Sequence, residues 1–150
     1  MADKVKIILV ASHGGHWIQL QRLLPAFENA SLHFVTTNPE ITVDAGARLS
    51  IVQDANLNEK LALLKLAFQV FRVVLKSRPD VVFSTGAAPG FFALMFGKLF
   101  GAKTIWLDSI ANAQQLSVSG QKVKPFADLW LTQWEELSGP EGPEYKGAVV

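Results

Sequence analysis

Two histidines flank a pair of glycines near the start of the chain, in the segment Ser12-His13-Gly14-Gly15-His16. The apolar run Val5–Ala11 before it predicts a buried strand, and apolar residues at helical spacing in Trp17–Leu24 predict a helix after it. A glycine turn between a strand and a helix presents free backbone N–H groups beside the positive end of the helix dipole. The segment therefore predicts a site for a phosphate or another anion. The alternative is structural, since a sharp turn needs glycine for its geometry alone.

The composition excludes several classes of protein. The chain has 150 residues, enough for one domain with a sizeable core, and we take residues 1–150 as that domain. It has no cysteine, and no metal-ligand cluster or nucleophile elbow of a serine hydrolase is found. A net charge of +1 argues against nucleic-acid binding. The start, Met1–Lys4, leaves no room for a signal peptide, which predicts a cytoplasmic protein.

The charges are unevenly distributed along the chain. Between Lys60 and Lys103 there are seven basic residues and a single acid, Asp80. Between Asp128 and Glu144 there are five acids and no base. A basic and apolar segment is suited to a membrane surface, and the acidic one predicts a different neighbour.

Strand and helix signals alternate along the chain. Strands are predicted at Val5–Ala11, Ser31–Thr37, Leu49–Gln53, Val81–Ser84, Lys103–Leu107, Asp128–Thr132 and Tyr145–Val150. Helices are predicted at Trp17–Leu24, Leu57–Ser77 and Phe91–Phe100, with a short one within Ser119–Ala127 and a single turn within the ambiguous Asp44–Arg48. Such alternation with short turns predicts an α/β fold, a parallel sheet with helices on both faces.

The helix predicted from about Leu57 to Ser77 is the longest element, and Asn56 or Asn58 is its expected N-cap. Its polar residues form one narrow stripe: Lys65, Gln69, Arg72 and Lys76. The other residues of Leu61–Leu75 are nearly all apolar, which favours a core helix with one solvent-exposed edge. The alternative is that part of it faces lipid or a partner subunit. Lys65 and Arg72 interrupt the apolar run, so a transmembrane span is not predicted.

Three loops are predicted to meet at the carboxyl edge of the sheet. A second turn of small residues, Thr85–Gly90, follows one strand, and Asp108-Ser109 follows another, as Ser12–His16 follows the first. Parallel sheets bind ligands at this edge. The agreement among the loops strengthens the prediction of a cleft for an anion or a sugar phosphate.

Three stretches of the chain resemble the acceptor-side subunit of the two-part glycosyltransferase that adds the second N-acetylglucosamine to dolichol-diphosphate sugars. The segment Ser12–His16 is similar to the family's Gly-Gly-His turn. Asp108-Ser109 with Leu116–Gly120 resembles its Glu-Ser…Leu-Ser-x-Ser-Gly segment. Asp128 and Gln133–Leu137, followed by Tyr145-Lys146-Gly147, resemble its Asp…Gln-Trp-Pro-x-Leu…Tyr-x-Gly ending. Bacterial relatives of the PssD or EpsE type, from exopolysaccharide and capsule synthesis, look closer still, because this chain lacks the eukaryotic N-terminal membrane anchor.

The resemblance implies a Rossmann-like N-terminal half of a GT-B glycosyltransferase. This half would bind a polyprenyl-diphosphate-linked sugar acceptor at the inner face of the plasma membrane, as a peripheral cytoplasmic protein. A separate nucleotide-sugar-binding subunit would supply the UDP-sugar and complete the cleft, with no cofactor or metal. The sequence departs from the family pattern at Asp108 for Glu, Asn112 where Arg is common, and Glu135 for Pro. If that Arg neutralises acceptor phosphate, another group must do so here.

With the resemblance, His16 and Asp108 become the candidate catalytic residues. His16 would contact the diphosphate or act as general base, and its structural alternative is a helix-cap histidine. Asp108 would orient His16 or bind a sugar hydroxyl, and its alternative is a helix-capping aspartate. The predicted substrate-binding residues are Ser12, His13, Gly14, Gly15, Thr85, Gly86, Ser109, Gln133, Trp134 and Glu135.

Other residues and functions stay open at this point. His33, on a strand, is predicted to be structural, and Phe91, Phe92 and Phe96 are either core or a patch that enters lipid. Two further functions fit the sequence: a non-catalytic scaffold that recruits a catalytic subunit to the membrane, and a free-standing nucleotide-binding α/β domain.

Overall fold

Seven parallel strands form one sheet in the computed structural model, which describes residues 3–56 and 58–149. The strands are β1 (Lys6–Ala11), β2 (Ser31–Thr36), β3 (Arg48–Ile51), β4 (Val81–Gly86), β5 (Lys103–Leu107), β6 (Leu129–Thr132) and β7 (Glu144–Tyr145). Their order across the sheet is β3-β2-β1-β4-β5-β6-β7. The direction of winding therefore reverses between β1 and β4, and doubly wound sheets bind their ligands at such a point.

Helices cover both faces of this sheet. They are α1 (Gly15–Arg22) on one face, and α2 (Lys60–Ser77), α3 (Ala87–Leu99) and α4 (Val118–Lys122) on the other. Side chains alternate along β1, so that Ile7 and Leu9 pack with Leu20 of α1, while Ile8 and Val10 pack into the cluster beneath α2 and α3. The predicted α/β class, the parallel sheet and its coverage on both faces are confirmed.

Several predicted boundaries shift by one to three residues, and four local predictions are wrong. The segment Asp44–Arg48 forms no helical turn, because β3 already begins at Arg48; a single bond from the Ala47 N–H to the Asp44 carbonyl, 2.9 Å, closes a tight turn. Neither Asn56 nor Asn58 caps α2, whose N-cap is Glu59 without a side-chain bond. Leu57, the predicted first residue of that helix, lies outside the described residues.

The other two wrong predictions concern a turn and the last strand. Thr85–Gly90 is not a loop, because β4 continues to Gly86 and α3 begins at Ala87. The strand predicted at Tyr145–Val150 is limited to Glu144–Tyr145, since the chain then turns back, with Gly147 at φ 114°, and the Val149 N–H bonds to the Gln133 side chain. Val150 lies outside the described residues.

The outer face of α2 is exposed to solvent, contrary to the expectation of a core helix with only one solvent-exposed edge. Leu66, Val70 and Val74 are buried, but Leu61 is 83% and Leu64 67% exposed. The predicted stripe of polar residues on α2 is confirmed, since all four line one groove beside β3. Among the described residues, no helix is both long and apolar enough to cross a bilayer.

The phenylalanines of α3 belong to the core. The ring of Phe92 stacks on Phe96 at 6.3 Å between centroids, and Phe96 meets Phe71 of α2 edge-on at 5.3 Å. Phe91 meets Phe126 in the same way at 5.8 Å. All three α3 residues are half-buried against the main core cluster, which favours the core interpretation over an exposed patch.

Candidate ligand site at the carboxyl edge of the sheet

The turn between β1 and α1 is exposed and built around Gly14. This residue has φ 77° and ψ −136°, a conformation that strongly favours glycine, and it is the N-cap of α1. A Cβ atom on Gly14 or Gly15 would meet nothing within 4 Å, so the space beside the turn is open. The first N–H groups of a helix have no intrahelical acceptor, and within the described chain those of Gly14, Gly15 and His16 donate to no other group. The turn can therefore bind an anion through its backbone.

His16 is fixed through one ring nitrogen and open at the other. Its Nδ1 lies 3.0 Å from the Thr85 carbonyl oxygen. Because a carbonyl only accepts, Nδ1 carries the hydrogen in this contact, which leaves Nε2 of the neutral ring with a free lone pair. The Thr85 hydroxyl donates in return to the His16 carbonyl at 2.6 Å. This pair of bonds joins the start of α1 to the end of β4.

Gly86 provides the surface on which the His16 ring rests. A Cβ atom on Gly86 would lie 2.4 Å from His16 Nδ1, so no larger residue fits without moving the ring. Gly86 has φ 144°, and the next residue, Ala87, has φ 70°. The Gly86 N–H donates to the Ser84 hydroxyl at 3.0 Å. These conformations allow β4 to pass directly into α3, which brings a second helix start to the edge beside His16.

Asp108 does not orient His16. It is 1% exposed, and both of its carboxylate oxygens accept hydrogen bonds from its own side of the sheet. Oδ1 accepts from the Ser117 hydroxyl at 2.6 Å and from Trp106 Nε1 at 3.1 Å. Oδ2 accepts from the Ser117 N–H at 3.0 Å and from Asn112 Nδ2 at 3.2 Å. Asp108 therefore holds the segment from β5 to α4, and the sugar contact predicted for it would require this burial to be undone.

The motif around Asp108 has a packing explanation. Ser117, not Asp108, is the N-cap of α4, and its hydroxyl accepts from the Gly120 N–H at 2.9 Å. A Cβ atom on Gly120 would lie 2.4 Å from Asp108 Oδ1. Asn112 also contributes a bond to this carboxylate.

Gln133 is part of a buried network and does not line a cleft. It is 2% exposed, and its Nε2 donates to Gln19 Oε1 at 2.5 Å and to the Asp108 carbonyl at 2.9 Å. Gln19 Nε2 in turn donates to the Ser109 hydroxyl at 3.2 Å. Trp134 is half-buried, and its Nε1 donates to the Ile110 carbonyl at 2.7 Å. The network joins α1 to the ends of β5 and β6.

His13 lies on the other side of the glycine turn. Its Nδ1 is 2.9 Å from the Thr37 hydroxyl and 3.7 Å from Asp54 Oδ2. Sequence reasoning missed Thr37 and Asp54, although Thr37 ends one predicted strand and Asp54 follows another, which places both at the same edge. It also missed Gln19, a buried amide whose position in a helix with an apolar pattern gives no sign of a polar contact.

The predicted site residues separate by exposure. His13, Gly14, Gly15 and Glu135 are exposed, and His16 and Trp134 are half-buried. Buried members are Ser12, Thr85, Gly86, Asp108, Ser109 and Gln133. A ligand can therefore reach the glycine turn and His16 directly. Thr85, Gly86, Asp108, Ser109 and Gln133 instead position the groups around it.

A parallel sheet with helices on both faces, and with a glycine turn at the point where the winding reverses, is a Rossmann-like fold, and the solved structures place it with the GT-B type. The crystal structure of MurG from Acinetobacter baumannii has this fold, with a TM-score of 0.78 and 11% sequence identity over 97% of this chain and 46% of that one. The predicted Rossmann-like fold, matching one half of a GT-B glycosyltransferase, is confirmed.

Residues 47–149 match the family described as "Oligosaccharide biosynthesis protein Alg14 like". The chain belongs to this family. The UDP-N-acetylglucosamine transferase subunit ALG14 of Yarrowia lipolytica is 33% identical over 86 residues, 53% of this chain and 40% of the yeast protein. The subunit of the same name from Mus musculus is 24% identical over 90% of this chain and 78% of the mouse protein. The chain thus matches less than half the length of the Yarrowia relative.

Proposed function

We propose that this chain is the acceptor-binding subunit of a two-part glycosyltransferase that acts on a polyprenyl-diphosphate-linked sugar. The observation that carries the proposal is the glycine turn beside His16, a backbone anion site next to an imidazole with a free Nε2, in a member of the Alg14-like family. The relatives are named as UDP-N-acetylglucosamine transferase subunits, which supports UDP-N-acetylglucosamine as the donor. A nucleotide-sugar-binding partner would hold that donor.

In the proposed transfer reaction, the diphosphate of the acceptor lies against the turn at Gly14 and Gly15. The loops at the edge, Ser12–His16, Thr85–Ala87 and Asp108-Ser109, contain no lysine or arginine. The phosphate charge is therefore met by backbone N–H groups and by the starts of α1 and α3. This arrangement would take the role of the Arg that the resemblance implies at the position of Asn112.

His16 acts as the general base. Nε2 takes the proton of the acceptor hydroxyl while the hydroxyl oxygen bonds to the anomeric carbon of the donor, and the bond from that carbon to UDP breaks. The Nδ1–H bond to the Thr85 carbonyl orients the ring and stabilises the imidazolium that forms.

The chain acts at the inner face of the plasma membrane as a peripheral protein. The support is the exposed apolar side of α2, where Leu61 and Leu64 lie beside the basic residues Lys65 and Arg72. The expected exopolysaccharide or capsule setting of the PssD or EpsE type is not supported by the relatives, whose names indicate oligosaccharide biosynthesis and the transfer of N-acetylglucosamine. The chemistry proposed for the chain is the same in both.

Binding of a short-chain polyprenyl-diphosphate N-acetylglucosamine tests the proposal. We expect the backbone amide resonances of Gly14, Gly15 and His16 to shift on titration, and the matched polyprenyl monophosphate to bind more weakly. UDP-N-acetylglucosamine alone should leave them unchanged, because the partner binds the donor. Strong shifts with the nucleotide sugar and none with the lipid would instead identify a nucleotide-binding domain.

A further inference from the structure

A groove of about 650 Å³ lies between β3 and α2, and it has no lining residue in common with the carboxyl-edge site. Four cationic side chains line it, Arg48 from β3 and Lys65, Arg72 and Lys76 from α2. Its other lining residues include no aspartate or glutamate. Within the described chain none of these four cations forms an ion pair. The groove therefore has an uncompensated positive charge.

The floor of the groove is neutral and internally bonded. His33 Nδ1 lies 2.9 Å from the Ser77 hydroxyl and Nε2 lies 2.7 Å from the Ser50 hydroxyl. Burial, and then the charge of Arg48, lower the pKa of His33, which favours the neutral ring. Gln69 Oε1 already accepts the Gln53 N–H at 2.7 Å. The charge available to a ligand thus comes from the arginine and lysine side chains.

One rim of the groove is apolar. Phe68 is 61% exposed and lines the groove, and the Arg72 guanidinium lies 5.9 Å from the centre of its ring. Leu61, Leu64 and Leu75 lie on the same exposed side of α2. A ligand that is anionic at one end and apolar at the other matches both parts of this surface, whereas a free phosphate would use only the cations.

We propose that this groove binds the phosphate of an anionic phospholipid, whose acyl chains lie along the exposed apolar residues of α2. The inference rests on the proposed attachment to a membrane and assigns a specific lipid site to it. The occupant is an intact lipid because three of the four cations and the apolar rim lie along the same helix, α2. Binding should weaken as salt rises, since the exposed charges are screened.

Flotation of the full chain with phosphatidylglycerol-containing vesicles, against phosphatidylcholine vesicles, measures this site. We expect the double variant Arg48→Gln/Arg72→Gln to partition roughly 30-fold less, from about 1 kcal/mol for each cation near anionic lipid. The matched control Lys103→Gln/Lys122→Gln removes the same charge at exposed positions outside the groove and should lose much less. Circular dichroism checks that each variant is folded.

The outcomes separate the lipid site from the rest of the function. Equal losses of vesicle binding in the two double variants would overturn the lipid site in the groove and indicate general charge attraction. Wild-type protein that does not bind the anionic vesicles would overturn membrane attachment as well. Inorganic phosphate that competes as well as soluble dihexanoyl phosphatidylglycerol would overturn the lipid as occupant. Sugar transfer to a detergent-dissolved acceptor, in the assembled enzyme, should be the same in the groove variant as in wild type. No transfer by the wild-type assembly would overturn the proposed function, independently of the lipid site.

Discussion

The two ring nitrogens of His16 have different surroundings. Nδ1 is committed to the Thr85 carbonyl, 3.0 Å away, and the ring rests on Gly86. Nε2 has no hydrogen bond to the described chain and lies beside the open glycine turn. A histidine that only capped α1 would need no such fixed orientation, so the geometry favours the catalytic role over the structural one.

Replacement of His16 distinguishes its proposed catalytic role from a structural one. We expect His16→Ala in the assembled enzyme to lower turnover by about 10²–10⁴-fold, the usual cost of losing a general base. His16→Asn is the matched variant, because its amide can donate to the Thr85 carbonyl in place of Nδ1–H but offers no base. Steady-state rates with the lipid acceptor, and melting temperatures, measure both. Full activity in His16→Asn would show that His16 only holds the loop, and full activity in both variants would favour the non-catalytic scaffold.

His33 predicts a pH dependence of stability. Burial, with Arg48 nearby, lowers its folded-state pKa below that of the unfolded chain, so the unfolded state binds the proton more readily. The stabilisation is present above the unfolded pKa and is lost as pH falls through the folded one. We expect the melting temperature of wild type to fall more than that of His33→Gln between roughly pH 7 and roughly pH 5, since an unperturbed histidine titrates near 6.5. His13→Gln, at an exposed histidine, is the control, and equal slopes for wild type and His33→Gln would contradict the assignment.

The sequence could locate residues at the edge but not assign them partners. The glycine pair and His16 follow a strand, and strand ends meet at one edge in any parallel sheet, so their placement was predictable. Asp108 was placed at the same edge, but its bonds to Ser117 and Trp106 depend on how the segment after β5 folds back. Periodicity carries no signal for such a contact.

Among the elements, α2 and the start of α3 show what an apolar pattern leaves undetermined. Hydrophobic spacing identified α2 and its polar stripe, yet it could not show that nothing in the described chain covers Leu61 and Leu64. Thr85–Gly90 resembled a loop because it consists of small residues. In the fold, Gly90 lies so close to β4 that a Cβ atom would be 1.9 Å from Ser84 Oγ, so small residues there serve helix packing.

The connection between β5 and α4 predicts an effect on stability. Gly120→Ala would place a Cβ atom 2.4 Å from Asp108 Oδ1 and 2.8 Å from Ser117 Oγ. Both atoms are held by their own hydrogen bonds, so they cannot yield freely. We expect a loss of about 1–3 kcal/mol in the free energy of unfolding, typical of overpacking. Gly46→Ala, where the new Cβ atom meets nothing within 4 Å, should change it little. Equal urea midpoints for the two variants would refute this account.

At the scale of the whole molecule, the chain has the fold of one part of a larger GT-B protein. It aligns with 46% of the MurG chain over 97% of its own length. The buried Gln133 connects two segments, because its Oε1 accepts the Val149 N–H at 2.7 Å and its Nε2 contacts Gln19 of α1. The segment after β7 is thereby connected to the helix that begins beside His16. A partner that contacts this segment would act on the helix that carries the proposed base.

The last prediction follows from this arrangement: the chain alone transfers no sugar and binds no nucleotide sugar tightly, and a partner restores transfer. The proposed docking surface is the acidic stretch Asp128–Glu144 with the segment 145–150, in which Tyr145 is 39% exposed on an edge strand. The alternative for these residues is a solvated loop and an ordinary closing strand. We would purify the chain alone and with a co-expressed nucleotide-sugar-binding subunit, and measure transfer to a lipid-diphosphate acceptor. Activity should require the partner and be lost when residues 145–150 are removed, while Glu141→Gln, an exposed substitution nearby, should weaken it little. Robust transfer by the lone chain would refute the division into two subunits, and full activity of the truncated complex would place the docking surface elsewhere.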